Sequence, residues 1–575
     1  MRSTRGAFRG LVLALLATAG PGRGEAAVDL VPVSASSRWP GAVEEGALRL
    51  ACSGSVEELA GYFRQRGLPF RSDLVRDGRE RVCHVLYEPT VPGFRASPDD
   101  DAVREVFFDS DPLLFLAGPL GDQDGPGGVM REVLRRVRRP LEVAILVHRG
   151  RDGAAYEEAA RRSYRDTPHR VRLLERGSER SFWWVQDCLK AGRSDRGETI
   201  LVPRRLFEGL PGNGEALEPL LGALSRESRV VRSRLSWEGG DLQFTRDPAD
   251  PRRLVLFYGS FAKAYWGESL TRGEFEYVLS REFGADRAVD LSGLAPHVDY
   301  FVSFLPLARA ALVGVPRSGD LDVARAAADA LLRAYAGREP ETLVDLRQGL
   351  SSPVPDRARL EGILARARRE QGGWDFAGDP ALPDRVRALV ARACPGGEDC
   401  FSEANRGRMI ESDPAVFAEW AHAVQRARDE QSVVSAHLDL VASQLEPVPE
   451  HVRRLANERI AALEEVGFRV IRVPAFRVNL VAERDWPGIS YVNALVVDRQ
   501  VFVPRFGLGE VEDRILRELA RELPEGYSVV PIHAQRALIR NGGLHCLAGI
   551  VRSPPGEPVA PAGTPPAGRG EDDFR

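Results

Sequence analysis

The sequence predicts a mixed α/β fold that carries a helical insertion and a small N-terminal unit. From residue 101 onward, short apolar runs of strand length alternate with amphipathic patterns of helix length, which is typical of α/β domains. Residues 491–532 contain two strand patterns, one helix pattern and a third strand pattern, which together predict one ββαβ module. Residues 318–465 carry helical periodicity interrupted by Pro and Gly, and we expect these helices to pack on one another.

The N-terminal and central elements follow from local patterns. In the small unit, residues 28–100, a helix is predicted at Val56–Arg66 and a strand at Val82–Glu88. Further along, apolar and β-branched runs predict strands at Val143–His148, Val171–Leu174, Leu254–Tyr258 and Ala311–Val315. Apolar residues at helical spacing predict helices at Tyr156–Ser163 and Arg272–Phe283.

The insertion and the last module contain the longest regular patterns. Helical periodicity in the insertion covers Asp322–Tyr335, Asp356–Glu370, Asp384–Ala393 and Ala415–Leu440. The last module is predicted to contain strands Tyr491–Val497 and Gln500–Arg505, helix Glu510–Glu522 and strand Tyr527–Ile532. Because only Asp498 and Arg499 separate its first two strands, we expect these strands to form a hairpin.

The composition of the 575 residues limits the function classes. With 79 Lys and Arg against 83 Asp and Glu, the net charge is −4, which provides no electrostatic footprint for nucleic acid. Beyond the N-terminal region, no run reaches the roughly 18 apolar residues that a transmembrane helix needs, so we expect no membrane span. The length predicts more than one compact unit, with residues 101–555 as the main domain. The sequence gives no indication of the oligomeric state.

Both ends of the chain differ in composition from its middle. Three arginines among the first nine residues precede an apolar run at Leu11–Ala19 and then small residues, which is the layout of a secretory signal peptide over residues 1–26. We therefore expect a secreted or periplasmic protein. Residues 556–575 are rich in Pro, Gly and Ala and end in charged residues, so we expect a disordered tail.

The chain contains six cysteines, and export would allow some of them to form disulfides. Cys394 with Cys400 and Cys52 with Cys83 are candidate pairs, although spacing along the sequence does not establish a disulfide. No spacing provides a four-ligand zinc set, and we expect no metal site.

Four short segments concentrate residues that could carry chemistry. Phe182–Asp187 is an aromatic run ending in a carboxylate, which can stack on and pair with a planar cation. Trp237–Asp241 places two glycines between carboxylates, and such glycines let the backbone approach a ligand closely. His297–Asp299, if extended, points an imidazole and a carboxylate to the same face. Asn541–Cys546 places a thiol after a Gly-Gly pair, where a base can reach it.

Each segment alone also fits an ordinary structural role, but their joint order resembles the signature of the pentein superfamily of guanidine-modifying enzymes. The Trp-Val-Gln-Asp run at Trp184–Asp187 and the His-Val-Asp-Tyr-Phe run at His297–Phe301 are similar to segments of the protein-arginine deiminases. The Glu-Gly-Gly-Asp run at Glu238–Asp241 and the Ser-Tyr-Val-Asn run at Ser490–Asn493 are closer to the free-arginine and agmatine deiminases. The resemblance spans residues 105–555, with poor coverage of the helical insertion.

This resemblance implies a five-bladed α/β propeller of ββαβ modules around a central site. It also implies that Cys546 is the nucleophile, and that His297, oriented by Glu238, moves protons. Asp187 and Asp299 would hold a planar guanidinium through paired hydrogen bonds. The other substrate-binding residues that the resemblance implies are Trp184, Gly240 and Asn541.

The reaction that the resemblance implies is hydrolysis of arginine side chains in peptides or proteins to citrulline and ammonia, through a thiouronium on Cys546. A deiminase of agmatine or free arginine, an amidinotransferase and a non-catalytic binder of arginine peptides remain alternatives. The animal protein-arginine deiminases use calcium, but Cys188, Leu189 and Lys190 stand where those enzymes have acidic ligands after the Gln-Asp pair. We therefore expect no cofactor, and an arginine-containing peptide or protein as the partner.

Overall fold

The computed structural model of the chain divides into two compact units. One comprises Met1–Glu88 with Leu270–Glu274, and the other comprises Pro89–Ser269 with Phe275–Arg575. The structure describes residues 30–31, 48–51, 70–77, 80–87, 89–98, 103–109, 126–148, 168–176, 185–204, 229–262, 272–295, 297–305, 307–334, 340–371, 384–393, 408–409, 412–413, 416, 420, 433–476, 489–534 and 543–552.

The described strands of the first unit form one antiparallel sheet. Leu30–Val31 (β1), Leu48–Ala51 (β2), Phe70–Asp77 (β3) and Glu80–Tyr87 (β4) are arranged in the order β1-β2-β4-β3. The strand predicted at Val82–Glu88 corresponds to β4. The predicted signal peptide at residues 1–26, the predicted helix Val56–Arg66 and Cys52 lie outside the described residues.

The second unit contains the remaining described strands. They are Arg95–Ala96 (β5), Val103–Asp109 (β6), Glu142–His148 (β7), Arg170–Arg176 (β8), Lys190–Ser194 (β9), Gly197–Val202 (β10), Arg229–Arg232 (β11), Leu242–Arg246 (β12), Leu254–Tyr258 (β13), Arg287–Asp290 (β14), Val302–Leu305 (β15), Ala310–Arg317 (β16), Arg469–Phe476 (β17), Ile489–Ser490 (β18), Leu495–Val497 (β19), Gln500–Arg505 (β20), Ser528–His533 (β21) and Gly549–Arg552 (β22). Together they form a mixed α/β fold with the helices described below.

Five sheets of this unit, as far as the structure describes it, repeat one arrangement. An antiparallel strand pair is followed by a third strand that runs parallel to the second, as in β9-β10-β11, β12-β13-β14, β15-β16-β17 and β19-β20-β21. In the fifth sheet β22, the last described strand, occupies the position that the first strand has in the other four sheets. It pairs antiparallel with β6, and β6 pairs parallel with β7. Strands from both ends of this unit therefore share one sheet.

The described helices connect these strands. They are Pro126–Arg136 (α1), Arg272–Phe283 (α2), Leu321–Ala334 (α3), Glu341–Ser351 (α4), Arg357–Gln371 (α5), Asp384–Ala393 (α6), Glu450–Val466 (α7) and Glu510–Glu522 (α8), together with a helical stretch over residues 433–445. The helices from α3 to α7 lie in the chain between β16 and β17, which are direct parallel neighbours in one sheet. In the part of the chain that is described, no helix has both the length and the apolar character that a bilayer crossing requires.

Most elements predicted from local patterns are confirmed, including β13, α2, α6, β20 and α8 at their predicted bounds. The predicted hairpin turn is also confirmed. Asp498 and Arg499 have φ angles of 47° and 65°, and left-handed conformations at both positions match the twist of the strands they join. The helix predicted at Tyr156–Ser163 and most of the one predicted at Ala415–Leu440 lie outside the described residues.

Two elements of this unit differ from the sequence prediction. The predicted strand Tyr491–Val497 is reduced to β19, because residues 491–493 form a turn between β18 and β19. This turn is where the side chain of Asn493 makes its hydrogen bonds, which a regular strand pattern does not reveal. The helix α4 was not predicted, although its buried residues Leu343, Leu346 and Leu350 have helical spacing.

An aromatic core supports the turns that carry the site. The rings of Phe257 and Phe304 lie 4.8 Å apart, and Phe468 packs against both of them. Phe301 and Cys546 belong to the same buried cluster. Burying an aromatic side chain stabilises the folded state by roughly 1.5–3 kcal/mol. The buried rings therefore stabilise the turn around residues 297–301.

Candidate active site

The polar residues of the site lie in turns just before the first strand of each repeated sheet. Asp187 precedes β9, Glu238 precedes β12, Asp299 precedes β15, Asn493 precedes β19 and Cys546 precedes β22. All of these side chains are at most 2% exposed. Residues that are far apart in the sequence are therefore buried together in one polar cluster.

The sulfur of Cys546 has polar neighbours on several sides. Its Sγ atom lies 3.3 Å from Oδ2 of Asp299, and Nδ2 of Asn493 donates a hydrogen bond to it at 3.2 Å. A ring nitrogen of His297 also lies within 4.8 Å of this sulfur. A thiol in contact with an imidazole can exchange its proton and act as a nucleophile.

Polar contacts also hold the turn that carries Cys546. Oδ1 of Asn493 accepts the backbone N–H of His545 at 3.0 Å, and Nδ1 of His545 is 2.9 Å from Oδ2 of Asp299. A Cβ atom on Gly543 would lie 2.3 Å from Oδ1 of Asn493, so a side chain at this position would push the amide away. The position of the sulfur thus depends on residues from two other turns.

His297 lies between two carboxyl groups. Its Nε2 atom is 2.6 Å from Oε2 of Glu238, and its Nδ1 atom is 3.7 Å from Oδ1 of Asp187. The ring of Phe261 contacts the imidazole edge to face, with the ring centres 5.2 Å apart. These contacts fix the plane of the ring and favour its protonated form.

Asp187 and Asp299 approach each other at Gly240. Oδ1 of Asp187 accepts the N–H of Gly240 at 2.8 Å. A Cβ atom on Gly240 would lie 2.7 Å from Nδ1 of His297, 2.9 Å from Oδ1 of Asp187 and 3.0 Å from Oδ2 of Asp299. Only glycine leaves this space open. Among the described residues, Oδ1 of Asp299 has no hydrogen-bond partner although it is buried, so this oxygen is available to accept a hydrogen bond from a ligand.

Burial sets the protonation states of the acidic groups. Burial raises the pKa of Asp187 to about 7, and the charge of His297 only partly offsets this. Burial also raises the pKa of Asp241 well above its ordinary value. Burial, together with the charge of Asp299, raises the pKa of Cys546 to about 12. At neutral pH the thiol is therefore protonated.

The pKa of His297 shifts in the opposite direction from what burial alone would produce. Burial lowers the pKa of this imidazole, but the charge of Asp187 and the hydrogen bonds with Cys546 and Glu238 outweigh it and raise the pKa well above the ordinary value. The cluster thus contains one imidazolium among several carboxyl groups. A small organic cation that enters it would relieve the excess of negative charge.

The structure brings together six of the residues predicted for the site, namely Cys546, His297, Glu238, Asp187, Asp299 and Gly240. Trp184 and Asn541 lie outside the described residues. The expected extended conformation of His297–Asp299 is wrong, because Val298–Tyr300 forms a 3₁₀ turn. Both side chains nevertheless reach Cys546 from this turn.

Asn493 and His545 were not among the predicted site residues. The Ser-Tyr-Val-Asn run at Ser490–Asn493 and the His-Cys pair at His545–Cys546 were visible as motifs. What the sequence did not reveal is that the amide of Asn493 contacts the sulfur, since 53 positions separate the two residues.

Two groups of donor atoms are close enough to hold a metal ion. They are His297, Asp299 and Cys546, and Asp187, Glu238 and His297, with the ligand atoms of each group within 4.8 Å of one another. Thiolate, imidazole and carboxylate are donors that suit Zn²⁺. Both groups consist of the residues that surround the reactive sulfur, so a metal ion there would compete with the proton of His297.

Comparison with known proteins supports the resemblance seen in the motifs. Residues 422–549 match the family described as Porphyromonas-type peptidyl-arginine deiminase, and this segment includes Asn493, His545 and Cys546. Over this segment, the match bears out the resemblance to arginine deiminases that the motifs indicated. No curated protein matches the chain.

Solved structures of deiminases are similar to this chain at low identity. The agmatine deiminase of C. jejuni is 11% identical, with 80% of this chain and 96% of that chain covered and a TM-score of 0.43. The agmatine deiminase of Enterococcus faecalis is 12% identical, with 80% and 95% covered and a TM-score of 0.39.

Proposed function

We propose that the protein is a hydrolase that deiminates the guanidinium group of arginine residues in peptides or proteins. The observation that carries this proposal is the position of Cys546, whose sulfur contacts Asp299, Asn493 and His297 inside a buried acidic cluster. Such a cluster suits a planar cation that bears several N–H donors.

Binding comes first. Asp187 and Asp299 lie on either side of the space in front of Gly240, and each offers carboxylate oxygens to a guanidinium. The positive charge of the ligand would favour the ionised forms of Asp187 and Cys546, both of which have raised pKa values in the free protein. Binding of the substrate thereby favours loss of the thiol proton to solvent, since His297 already carries its own proton, and this leaves the thiolate that attacks the guanidinium carbon.

The reaction then proceeds through two displacements at the guanidinium carbon, the first by Cys546 and the second by water. The thiolate of Cys546 bonds to the guanidinium carbon, and the imidazolium of His297 gives its proton to the departing nitrogen, which leaves as ammonia. The remaining thiouronium is attacked by water, and His297 takes a proton from that water. The carbon–sulfur bond breaks, and a ureido group is released, which on an arginine residue is citrulline. Glu238 holds His297 in position throughout.

Two observations favour a peptide substrate over a small guanidine. The family that matches residues 422–549 is described as peptidyl-arginine deiminase. The His-Val-Asp-Tyr-Phe and Trp-Val-Gln-Asp runs also resemble the protein-acting branch. Agmatine and free arginine remain the alternative substrates, and an amidinotransferase would pass the same thiouronium to an amine instead of water.

The test is a comparison of three substrates with the purified protein. Benzoyl-arginine ethyl ester, free arginine and agmatine are incubated separately, and ammonia and the ureido product are both quantified. We expect equal amounts of both products and the highest kcat/KM for the benzoylated compound. Turnover of agmatine alone would contradict a peptide substrate. If a product forms only when an amine is added, and that product is the amidinated amine, the result would support an amidinotransferase. If none of the three compounds is turned over, the proposed reaction is wrong.

Two further properties belong to the same proposal. The protein would be exported through a signal peptide over residues 1–26, which N-terminal sequencing of the mature protein tests. The five repeated sheets would close into a five-bladed propeller around Cys546. The pairing of β22 with β6 and the convergence of one turn from each sheet support this closure.

A further inference from the structure

Tyr300 has a buried hydroxyl for which the reaction above has no use. It follows Asp299 directly in the 3₁₀ turn Val298–Tyr300, and the whole residue is only 8% exposed. Within the described part of the chain, its hydroxyl oxygen has no hydrogen-bond partner. Leaving a hydroxyl buried without a partner costs roughly 1–3 kcal/mol, so such groups indicate a ligand or a function.

The charges of the reacting groups act on the phenol of Tyr300. Tyr300 packs in the same buried cluster as Cys546. Burial, and then the negative charges of Cys546, Asp299 and Asp187, raise the pKa of this phenol well above its ordinary value. The phenol therefore stays neutral, and it acts through hydrogen bonds. Among the described residues, Oδ1 of the adjacent Asp299 is the other buried atom of this turn that has no hydrogen-bond partner.

One N–H group of a bound guanidinium has no acceptor after the two aspartates are counted. An alkylguanidinium has five N–H groups. If Asp187 and Asp299 each accept two of them in bidentate pairs, four are satisfied. The fifth N–H lies on a terminal nitrogen, on the side of the alkyl chain. In a buried site this donor needs an acceptor as well.

We propose that the hydroxyl of Tyr300 accepts the fifth N–H of the bound guanidinium, and that it makes the site selective for guanidinium groups without a methyl substituent. This inference rests on the proposed function and adds a specificity determinant to it. A methyl group on that terminal nitrogen removes the N–H and meets the phenol oxygen instead. The methylated side chain would then lose a hydrogen bond and leave the hydroxyl unpaired.

The test compares Tyr300→Phe with the unchanged protein on two substrates, benzoyl-arginine amide and its Nω-monomethyl analogue. We expect the unchanged protein to favour the unmethylated compound. In Tyr300→Phe, kcat/KM for that compound should fall about tenfold, as for one lost hydrogen bond to a charged group. The value for the methylated compound should change less than about threefold. The ratio between the two substrates therefore falls.

Tyr491→Phe is the matched control. Tyr491 is fully buried, but the groups that shift the pKa of its phenol are Glu512 and Arg505, and none of the residues around Cys546 is among them. This variant should keep the substrate ratio of the unchanged protein. If the substrate ratio of Tyr300→Phe equals that of the unchanged protein, the inference is wrong. A purely structural role lowers kcat/KM for both substrates together and leaves their ratio the same.

A binding measurement separates this inference from the proposed reaction. Calorimetric titration of the same two compounds into Cys546→Ala, with and without Tyr300→Phe, requires no turnover. Selective weakening of the unmethylated compound supports the role of Tyr300 even if the unchanged protein turns nothing over. If Cys546→Ala binds neither compound, both the inference and the proposed function are wrong.

Discussion

Replacing Asp299 with Asn should change thiol reactivity and turnover in opposite directions. Oδ2 of Asp299 lies 3.3 Å from Sγ of Cys546, and the charge of this carboxylate is, after burial, the second cause of the raised thiol pKa. At an effective dielectric constant of about 20, two unit charges at this distance repel each other by roughly 5 kcal/mol. Rearrangement and solvent weaken this effect, so we expect the pKa of Cys546 to fall by about one unit or more.

The assay for the thiol is alkylation by iodoacetamide, a neutral reagent that needs the thiolate but not the cation site. Since one pKa unit changes the thiolate fraction about tenfold, Asp299→Asn should be alkylated about tenfold faster at pH 8. Its kcat/KM for benzoyl-arginine ethyl ester should fall by about 100-fold or more, because half of the guanidinium contact loses its charge.

Asp241→Asn is the control for both measurements. Asp241 is as deeply buried as Asp299, and burial raises its pKa well above the ordinary value, but its charge is not among the causes that shift Cys546. Its alkylation rate should match that of the unchanged protein. Slower alkylation of Asp299→Asn, or retention of full turnover, would refute the electrostatic reasoning.

Three other variants test separate parts of the site. Cys546→Ser should lower turnover by at least about 1,000-fold with an unchanged melting temperature; residual turnover above that level would argue against covalent catalysis. Glu238→Gln removes a contact that raises the pKa of His297, so the loss of activity at high pH, where the imidazole can no longer donate its proton, should move to lower pH; an unshifted pH–rate profile would show that His297 is not the acid. Gly240→Ala places a methyl group between His297, Asp187 and Asp299 and should abolish binding of guanidinium compounds while far-UV circular dichroism is preserved; tight binding by this variant would put the cation site elsewhere.

The elements that the sequence predicted well are those whose pattern is local. The predicted bounds of β13 and α2 agree with the structure because strand and helix periodicity repeat within a few residues. The hairpin at Asp498 and Arg499 was equally predictable, since the length of a two-residue connection selects the turn type.

The features that could not be predicted depend on residues distant in the chain. Residues 491–493 have a strand pattern, but Asn493 instead forms hydrogen bonds with His545 and Cys546, and these outweigh the local preference. Likewise, His297 and Asp299 share a face in an extended chain, whereas the observed 3₁₀ turn brings them to the same sulfur from a different backbone conformation. The pairing of β22 with β6 is similarly non-local.

The candidate site could be predicted from its motifs, and not from local periodicity. Asp187, Glu238, His297 and Cys546 stand in motifs whose order resembles a known superfamily, so their assembly was expected without any knowledge of distances. Tyr300 was not distinguished in this way, because a tyrosine within an apolar run is typical of an ordinary core. It is revealed only by its buried hydroxyl, which has no hydrogen-bond partner among the residues that the structure describes.

The covalent step at Cys546 can be observed directly. The protein is mixed with benzoyl-arginine amide, quenched in acid within the first turnover, and digested for peptide mass spectrometry. We expect an adduct on the peptide containing Cys546 whose added mass equals that of the substrate minus ammonia, and which disappears as the ureido product accumulates. Product formation with an unmodified Cys546 at every time point, or the same adduct on another residue, would contradict it.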